Sequence, residues 1–273
     1  MINAAVESTF ALGNFVFRLR CSDWELLNSV SKILPSMHNS PEFQMDAPFT
    51  DIDLNIPVDI GGGQIVDLRR VDSSLAIGYI LDTALKFHEH LLWLEGATLL
   101  DGSGRLVMLC GGTHSGKTTL ALALHLQFGW KVVSEDLTLI DPQDSQIVPF
   151  PRPLSLRAGT AERIAEAVGT APGKRHTQGE WYFDRGMYDI RRFALPPRVV
   201  IFLKPVDAEN PGSLKAEVVS SAIVLKQLLP LSNLLRKPDA THMIDSAMEA
   251  AACFVLEGGH LADRLNWFKT IQL

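Results

Sequence analysis

The spacing of apolar residues near the start of the chain predicts a strand followed by a helix. Residues 15–20 (FVFRLR) alternate apolar and polar side chains, which is the two-residue period of a half-buried strand. Ser22 then opens a capping-box pattern, and the helix after it places Trp24, Leu27 and Val30 on one face. These patterns predict a small unit that contains both strand and helix.

Longer apolar patterns predict the elements of the rest of the chain. Helices are predicted at residues 74–93, 118–128, 160–168, 221–229, 239–256 and 261–270. Strands are predicted at residues 64–71, 97–100, 106–110, 131–140, 199–203 and 214–219. The turn residues 101–104 (DGSG) predict a hairpin, and the polar, glycine-rich residues 169–180 predict a loop. Strands and helices that alternate in this way indicate an α/β fold.

One segment carries the signature of a phosphate-binding P-loop. Residues 111–118 read GGTHSGKT, which matches GxxxxGKT, and they lie between a predicted strand and a predicted helix, as the motif requires. In such a loop, backbone N–H groups and the N-terminus of the helix bind phosphate oxygens. The residues expected to bind the nucleotide are Gly111, Gly112, Thr113, His114, Ser115, Gly116, Lys117, Thr118 and Thr119.

Several residues of the P-loop have separate expected roles. Gly111 and Gly116 allow the backbone to approach a ligand closely. Lys117 is expected to reach the outer phosphates, and the hydroxyl of Thr118 to ligate Mg²⁺. His114 either contacts the γ-phosphate or the acceptor, or faces solvent as an ordinary loop residue.

A pair of carboxylates lies inside the apolar segment 131–140. Glu135 and Asp136 interrupt residues that otherwise suit a buried strand. Buried carboxylates are costly unless they have a partner, and Mg²⁺ bound to phosphates is such a partner. Because neighbouring strand residues point to opposite faces, the two carboxylates are expected to have different functions. The alternative is that one of them only ends a strand.

Two arginines follow the carboxylates within residues 150–157 (FPRPLSLR). The guanidinium groups of Arg152 and Arg157 are suited to donate paired hydrogen bonds to phosphate oxygens and to stabilise charge during phosphoryl transfer. A simple ion pair with a surface carboxylate is the alternative for each of them.

Several other classes of protein are not indicated. No DxxG follows the P-loop, since the one at residues 101–104 precedes it, and residues 204–207 (KPVD) are not the NKxD of a GTPase. A net charge of −6 argues against a nucleic-acid partner. No apolar run reaches the roughly 18 residues of a membrane span, and no signal peptide is recognised in residues 1–13. A cytoplasmic protein without a membrane partner is therefore expected. The three widely spaced cysteines show no metal-binding spacing.

The P-loop, the Gly129-Trp130 pair and residues 134–140 (SEDLTLI) together resemble the catalytic domain of the HPr kinase/phosphorylase family. The similarity is greatest to smaller relatives, such as the serine kinases associated with lasso peptides, and it covers residues 80–205. The resemblance implies that Glu135 acts on the acceptor hydroxyl and that Asp136 helps to hold Mg²⁺. This chain differs from the family in having Glu135 where an Asp is usual and His114 where a Gly is frequent.

The motifs and the resemblance together predict the organisation of the chain. An α/β P-loop kinase core of the HPr kinase C-terminal-domain type is expected at residues 79–273, preceded by a small α+β segment at residues 1–78. The expected catalytic residues are Glu135, Lys117, Arg152, Arg157 and His114.

The expected reaction is transfer of the γ-phosphoryl group of ATP, with Mg²⁺, to a Ser or Thr hydroxyl of a peptide or protein. The resemblance implies this class of acceptor, which includes natural-product precursor peptides. A small-molecule kinase and a non-catalytic ATP-binding regulator are the alternatives. The sequence leaves open whether the protein forms a homo-oligomer.

Overall fold

A computed structural model describes most of the chain, in ranges separated by short gaps. The described residues are 6–12, 15–33, 49–54, 58–59, 65–67, 73–87, 89–157, 159–170, 172, 180–182, 185–189, 191–194, 196–206, 212–237 and 240–271. Most of the loop predicted at residues 169–180 lies outside these ranges. Within them the chain has a mixed α/β architecture.

A small three-stranded sheet begins the chain. The elements of this part are β1 (Val6–Leu12), β2 (Phe15–Cys21), α1 (Trp24–Ile33), β3 (Phe49–Asp53), β4 (Val58–Asp59), β5 (Ile65–Val66) and α2 (Ser73–Phe87). β2 pairs antiparallel with β1 and parallel with β3, so the strand predicted at residues 15–20 is confirmed. Of the strand predicted at residues 64–71, only residues 65–67 lie within the described ranges, and β5 is found there.

The start of α1 differs in two details from its prediction. Asp23 caps the helix, because its Oδ1 accepts hydrogen bonds from the second and third helical N–H groups at 2.9 and 3.1 Å. Trp24 is 60% exposed, whereas Leu26, Leu27 and Val30 are buried. At 100° per residue, Trp24 lies roughly 110° from the centre of that buried stripe.

A nine-stranded mixed sheet forms the centre of the molecule. The remaining strands are β6 (Leu92–Leu100), β7 (Leu106–Cys110), β8 (Lys131–Ser134), β9 (Leu137–Asp141), β10 (Gln146–Val148), β11 (Leu154–Leu156), β12 (Glu180–Tyr182), β13 (Phe193–Ala194), β14 (Val199–Leu203), β15 (Lys215–Val218) and β16 (Ala252–Glu257). The strand order of the large sheet is β13-β10-β9-β6-β7-β14-β16-β15, and β8 also pairs with β6. β7, β14 and β16 run parallel, and the other pairs in this sheet are antiparallel. β11 and β12 form a separate pair.

Helices cover both faces of the large sheet. They are α3 (Lys117–Phe128), α4 (Thr160–Val168), α5 (Ser221–Leu228), α6 (Thr241–Glu249) and α7 (Leu261–Thr270). Along β7, Val107 and Leu109 belong to the core shared with α3, α4 and α7, while Met108 and Cys110 belong to the core shared with α5 and α6. All five residues of β7 are buried because both faces are covered. In the described part of the chain, no helix has the length and apolarity needed to cross a membrane.

Two predicted helices are wrong in part, and both errors lie next to strands of the central sheet. α2 ends at Phe87, and residues 92–93 belong to β6, where they pair with β9. Residues 239–256 contain α6 and then β16. The sequence 252–257 (ACFVLE) has an apolar pattern that suits either element, and its pairing with β14 and β15 decides in favour of the strand.

The first part of the chain packs against the large sheet through one continuous core. This core contains Phe17 and Leu27 from the first elements, Ile77 from α2, and Leu139 and Phe150 from the segment around β9 and β10. The boundary predicted between residues 78 and 79 falls inside α2.

The parallel strands determine where a site can form. The carboxyl ends of β7, β14 and β16 lie at one edge of the sheet, and a different loop leaves each of them. In α/β proteins, ligands bind in the crevice at this edge. The loop at residues 111–118 leaves β7 at this position and leads into α3.

Candidate active site

The glycine-rich loop, residues 111–118, has a shape that its glycines permit. Gly111 has φ 143°, and a Cβ atom there would lie 2.4 Å from the carbonyl oxygen of Leu203 and 2.9 Å from the Oγ of Ser115. Gly116 has φ 88° and directly precedes α3. A side chain at Gly111 would force the loop away from the end of β14, so glycine is required there.

The ammonium group of Lys117 is held by the backbone of the same loop. Its Nζ donates hydrogen bonds to the carbonyl oxygens of Gly111 at 2.6 Å and Gly112 at 3.1 Å. The Oε1 of Glu95 lies 3.4 Å away. Lys117 is buried, so this cation lies inside the fold and not in bulk solvent.

Glu135 and Asp136 lie on a tight turn between β8 and β9, which we call the acid turn. The N–H of Leu137 donates to the carbonyl oxygen of Glu135 at 2.8 Å, and Asp136 has φ 64°. An i to i+2 hydrogen bond around a residue with positive φ is the rare form of γ-turn. Strained backbone of this kind is concentrated at functional sites.

The turn changes where the two carboxylates point. On a continuous strand they would face opposite sides, but here both approach Arg152. Its Nη1 lies 2.5 Å from the Oδ2 of Asp136, and its Nε lies 3.8 Å from the Oε2 of Glu135. The prediction of one strand across residues 131–140 is therefore wrong, because the peptides at 135–136 leave the ladder and the N–H of Gly96 donates to the carbonyl oxygen of Asp136.

Glu135 is the most deeply buried carboxylate of this site, with 2% exposure. Burial, and secondarily the negative charge of Asp136, raises its pKa to about 7 against the opposing attraction of Arg152. Its Oε1 also accepts a hydrogen bond from the hydroxyl of Thr118. The carboxyl group therefore changes its protonation state near neutral pH and touches the residue expected to ligate Mg²⁺.

His114 and Arg157 form a second contact across the site. The Nη1 of Arg157 contacts the Nδ1 of His114 and lies 2.8 Å from its Nε2. A guanidinium group only donates hydrogen bonds, so a ring nitrogen of His114 is the acceptor in this contact. His114 also has φ 68°, an uncommon conformation for a residue with a Cβ atom. The contact joins the glycine-rich loop to the segment that follows β11.

The start of α7 forms another side of the site. His260 caps the helix, and its N–H donates to the Oδ2 of Asp263 at 2.9 Å, which completes a capping box. One turn into the helix, the Nη1 of Arg264 donates to the carbonyl oxygen of Ser115 at 3.1 Å. The last helix therefore contacts the glycine-rich loop directly.

These groups surround one cavity of about 550 Å³. Of the predicted site residues, the cavity is lined by Thr113, His114, Ser115, Gly116, Lys117, Thr118, Thr119, Glu135, Asp136, Arg152 and Arg157. Gly111 and Gly112 do not line it, and they contribute the carbonyl groups that hold Lys117. Every predicted catalytic residue thus reaches the same cavity.

The cavity also contains residues that the motif does not include. They are Glu95, Leu120, Ser155, Thr160, Arg163, Val206, Gly259, His260, Leu261 and Arg264. Glu95 leaves a signal in the sequence, since it is the one charged residue within the apolar stretch 92–100. The sequence gives no such signal for Arg264, because a charged residue in a short helix of mixed composition is ordinarily exposed.

No known family model matches this chain, and no curated protein matches it. The function is therefore inferred from the residues of the cavity.

Proposed function

We propose that the protein is an ATP-dependent phosphotransferase with a P-loop kinase core of the HPr kinase C-terminal-domain type. One observation carries the proposal. Lys117 and Thr118 share a cavity with Glu135 and Asp136, and the hydroxyl of Thr118 is hydrogen-bonded to Glu135. Phosphoryl transfer needs this combination of a phosphate-binding loop, a metal ligand and a carboxylate at the acceptor.

The charge of the cavity favours a polyanionic ligand such as ATP. Its lining includes five Lys and Arg side chains and three carboxylates, although the whole chain has a net charge of −6. The first N–H groups of α3 have no acceptor within their own helix and are suited to bind phosphate oxygens. The buried Oγ of Ser115 also has no hydrogen-bond partner among the described residues, and a phosphate oxygen would supply one.

The residues present also fit Mg²⁺. The described part of the chain has no cluster of three or more His, Cys, Asp or Glu side chains suited to a metal ion. Mg²⁺ at phosphate sites is typically held by one or two protein groups, with phosphates and water completing its shell. Thr118 and Asp136 are the groups that would hold it. When bound, Mg²⁺ supplies positive charge that neutralises the phosphate oxygens during transfer.

Glu135 is suited to accept the proton of the acceptor hydroxyl. With a pKa of about 7 it is partly ionised at neutral pH, which is the range in which a general base is most effective. As the acceptor oxygen forms its bond to the γ-phosphorus, the bond from that phosphorus to the bridging oxygen breaks and ADP leaves. The proton of the hydroxyl passes to Glu135.

Arg152 has two functions in this scheme. In the structure it neutralises both carboxylates of the acid turn and keeps them in one place. Within the described part of the chain its buried Nε has no hydrogen-bond partner, so the guanidinium group retains a donor for a phosphate oxygen. Arg157, held against His114, adds a further positive charge to the cavity.

The acceptor class, a Ser or Thr hydroxyl of a peptide or protein, is supported by the resemblance of residues 80–205 to small HPr-kinase-like enzymes. A small-molecule kinase and a non-catalytic nucleotide-binding regulator are the competing functions, and both are outcomes of the test below.

The test is transfer of label from γ-labelled ATP with Mg²⁺ to peptides and proteins encoded beside this one. We expect label on a Ser or Thr of a neighbouring product, and we expect Lys117→Ala to abolish it because the outer phosphates lose their cation. Arg236→Met, which changes an exposed arginine outside the cavity, is the control and should transfer normally. ATP binding without label on any peptide contradicts a peptide kinase, and a small-molecule screen then separates the other two functions.

A further inference from the structure

Arg264 is a buried cation to which the proposed reaction assigns no role. Its side chain comes from α7, distant in sequence from the glycine-rich loop, yet it is only 4% exposed and lines the cavity. Its Nε donates to the carbonyl oxygen of Gly258 at 3.1 Å, and its Nη1 donates to that of Ser115 at 3.1 Å. These two bonds fix the position of the guanidinium group beside the loop.

The third nitrogen of Arg264 has no hydrogen-bond partner. Nη2 is buried and finds no acceptor among the described residues. The Oγ of Ser115, which lines the same cavity, is also buried without a partner. Buried polar groups are nearly always hydrogen-bonded, so two orphaned donors, one on Ser115 and one on the arginine bound to its carbonyl oxygen, need an explanation.

The charge of Arg264 is also uncompensated. Within the described ranges, none of the carboxylates forms an ion pair with it, and the pKa of its guanidinium group is lowered by burial alone. Arg152 provides a contrast in the same cavity, because it contacts both carboxylates of the acid turn. A buried charge without a counter-ion is strongly unfavourable, and an anionic ligand would remove this penalty.

We infer that Arg264 is a phosphate ligand contributed by the last helix, and that it donates from Nη2 to the polyphosphate of the nucleotide held by the glycine-rich loop. This inference rests on the proposed function, since it names a further residue of the same site. It also makes α7 part of the nucleotide site, so that binding of the nucleotide neutralises the charge buried at the start of the helix.

The test compares Arg264→Met and Arg264→Lys with the wild type and with Arg236→Met, an exposed arginine outside the cavity. Dissociation constants for MgATP and for inorganic tripolyphosphate are measured by titration calorimetry, and melting temperatures are measured without ligand. We expect Arg264→Met to weaken binding of both ligands about tenfold or more, because a charge-assisted hydrogen bond is lost. Tripolyphosphate lacks a base and a ribose, so its loss of affinity locates the contact at phosphate.

The ligand-free melting temperature separates this role from a purely structural one. We expect Arg264→Met to melt within a few degrees of Arg236→Met, since removal of an uncompensated buried charge offsets the loss of two hydrogen bonds to carbonyl groups. Ligand affinities within twofold of the wild type overturn the inference. So does weaker binding accompanied by a fall of ten degrees or more in the ligand-free melting temperature.

A second variant keeps the test decisive if Arg264→Met does not fold. Arg264→Lys retains the charge with fewer donors, and we expect it to weaken MgATP binding about three- to tenfold. Affinity within twofold of the wild type overturns the inference in that case. If Arg264→Met loses affinity but the wild type transfers no phosphate, only the proposed function fails. If wild type and variant bind equally and transfer is intact, only the role of Arg264 fails.

Discussion

The glycine-rich loop and the acid turn meet in one cavity, but they reach their shapes by different means. In the loop, Gly111 and Gly116 adopt positive φ without a steric penalty, and the backbone groups are the expected ligands. In the acid turn a residue with a side chain, Asp136, is held at φ 64°, and the carboxylates themselves are the proposed reactive groups. At Gly111 the loop depends on the absence of a side chain, whereas the turn depends on contacts that overcome strain. Those contacts are the hydrogen bond from Gly96 and the ion pair with Arg152.

The largest effect expected from this comparison is on the chemistry of the acid turn. Glu135→Gln should lower the rate of phosphoryl transfer by about 100-fold or more, because a general base typically contributes that much. Its affinity for MgATP should stay within about threefold of the wild type, since the loop is unchanged. Steady-state kinetics together with titration calorimetry measure the two effects.

Asp136→Asn is the matched variant for this experiment. It should raise the Mg²⁺ concentration needed for half-maximal rate, because it removes a proposed metal ligand. If Glu135→Gln changes the Mg²⁺ requirement and Asp136→Asn changes only the maximal rate, each carboxylate has the role proposed here for the other.

The second effect is the dependence of stability on pH. The pKa of Glu135 is raised from 4.5 to about 7 in the folded protein, so the folded state binds this proton more tightly than the unfolded state does. This contribution is fully present below pH 4.5 and is lost as the pH rises through 7. Relative to Glu135→Gln, the wild type should lose about 2–3 kcal/mol of unfolding free energy between pH 5 and pH 8. Chemical denaturation of both proteins at the two pH values measures it, and parallel curves would contradict the buried, proton-binding state of Glu135.

The third effect concerns the backbone of the glycine-rich loop. Gly111→Ala places a Cβ atom 2.4 Å from a carbonyl oxygen of β14 and should lower the unfolding free energy by about 1–3 kcal/mol. Gly112→Ala is the matched control one residue away, because its Cβ atom would meet only the Cδ2 of Leu231 at 4.0 Å. Denaturant titration should show a change below about 0.5 kcal/mol for the control. Equal losses in both variants would mean that the close approach at Gly111 is not required.

The smallest effect is expected at His114, the one residue of the loop with a side chain at positive φ. His114→Gly relieves backbone strain but raises the entropy of the unfolded chain and removes the exposed contact with Arg157. These changes oppose each other, so the unfolding free energy should change by less than about 1 kcal/mol. A thermal melt checks this value, and a loss greater than about 2 kcal/mol would show that the contact with Arg157 determines the shape of the loop.

Several elements could be predicted because their signals are local. The hairpin turn at residues 101–104 is confirmed, and so are the helices near 118–128, 160–168 and 261–270. Each has turn residues, glycines at its ends or an apolar period within its own residues. The strand at residues 252–257 could not be predicted in this way, because its conformation depends on pairing with β14, some fifty residues earlier.

The glycine-rich loop could be predicted from its own residues, since the backbone that Gly111 and Gly116 permit and the positions of Lys117 and Thr118 follow from adjacent residues. Three features required the folded chain: Glu135 and Asp136 share Arg152, Glu135 has a pKa of about 7, and α7 brings Arg264 to the loop. Backbone conformation responds mainly to neighbours in the chain. Burial and electrostatic environment arise from residues that are distant in sequence and become adjacent only when the sheet is complete.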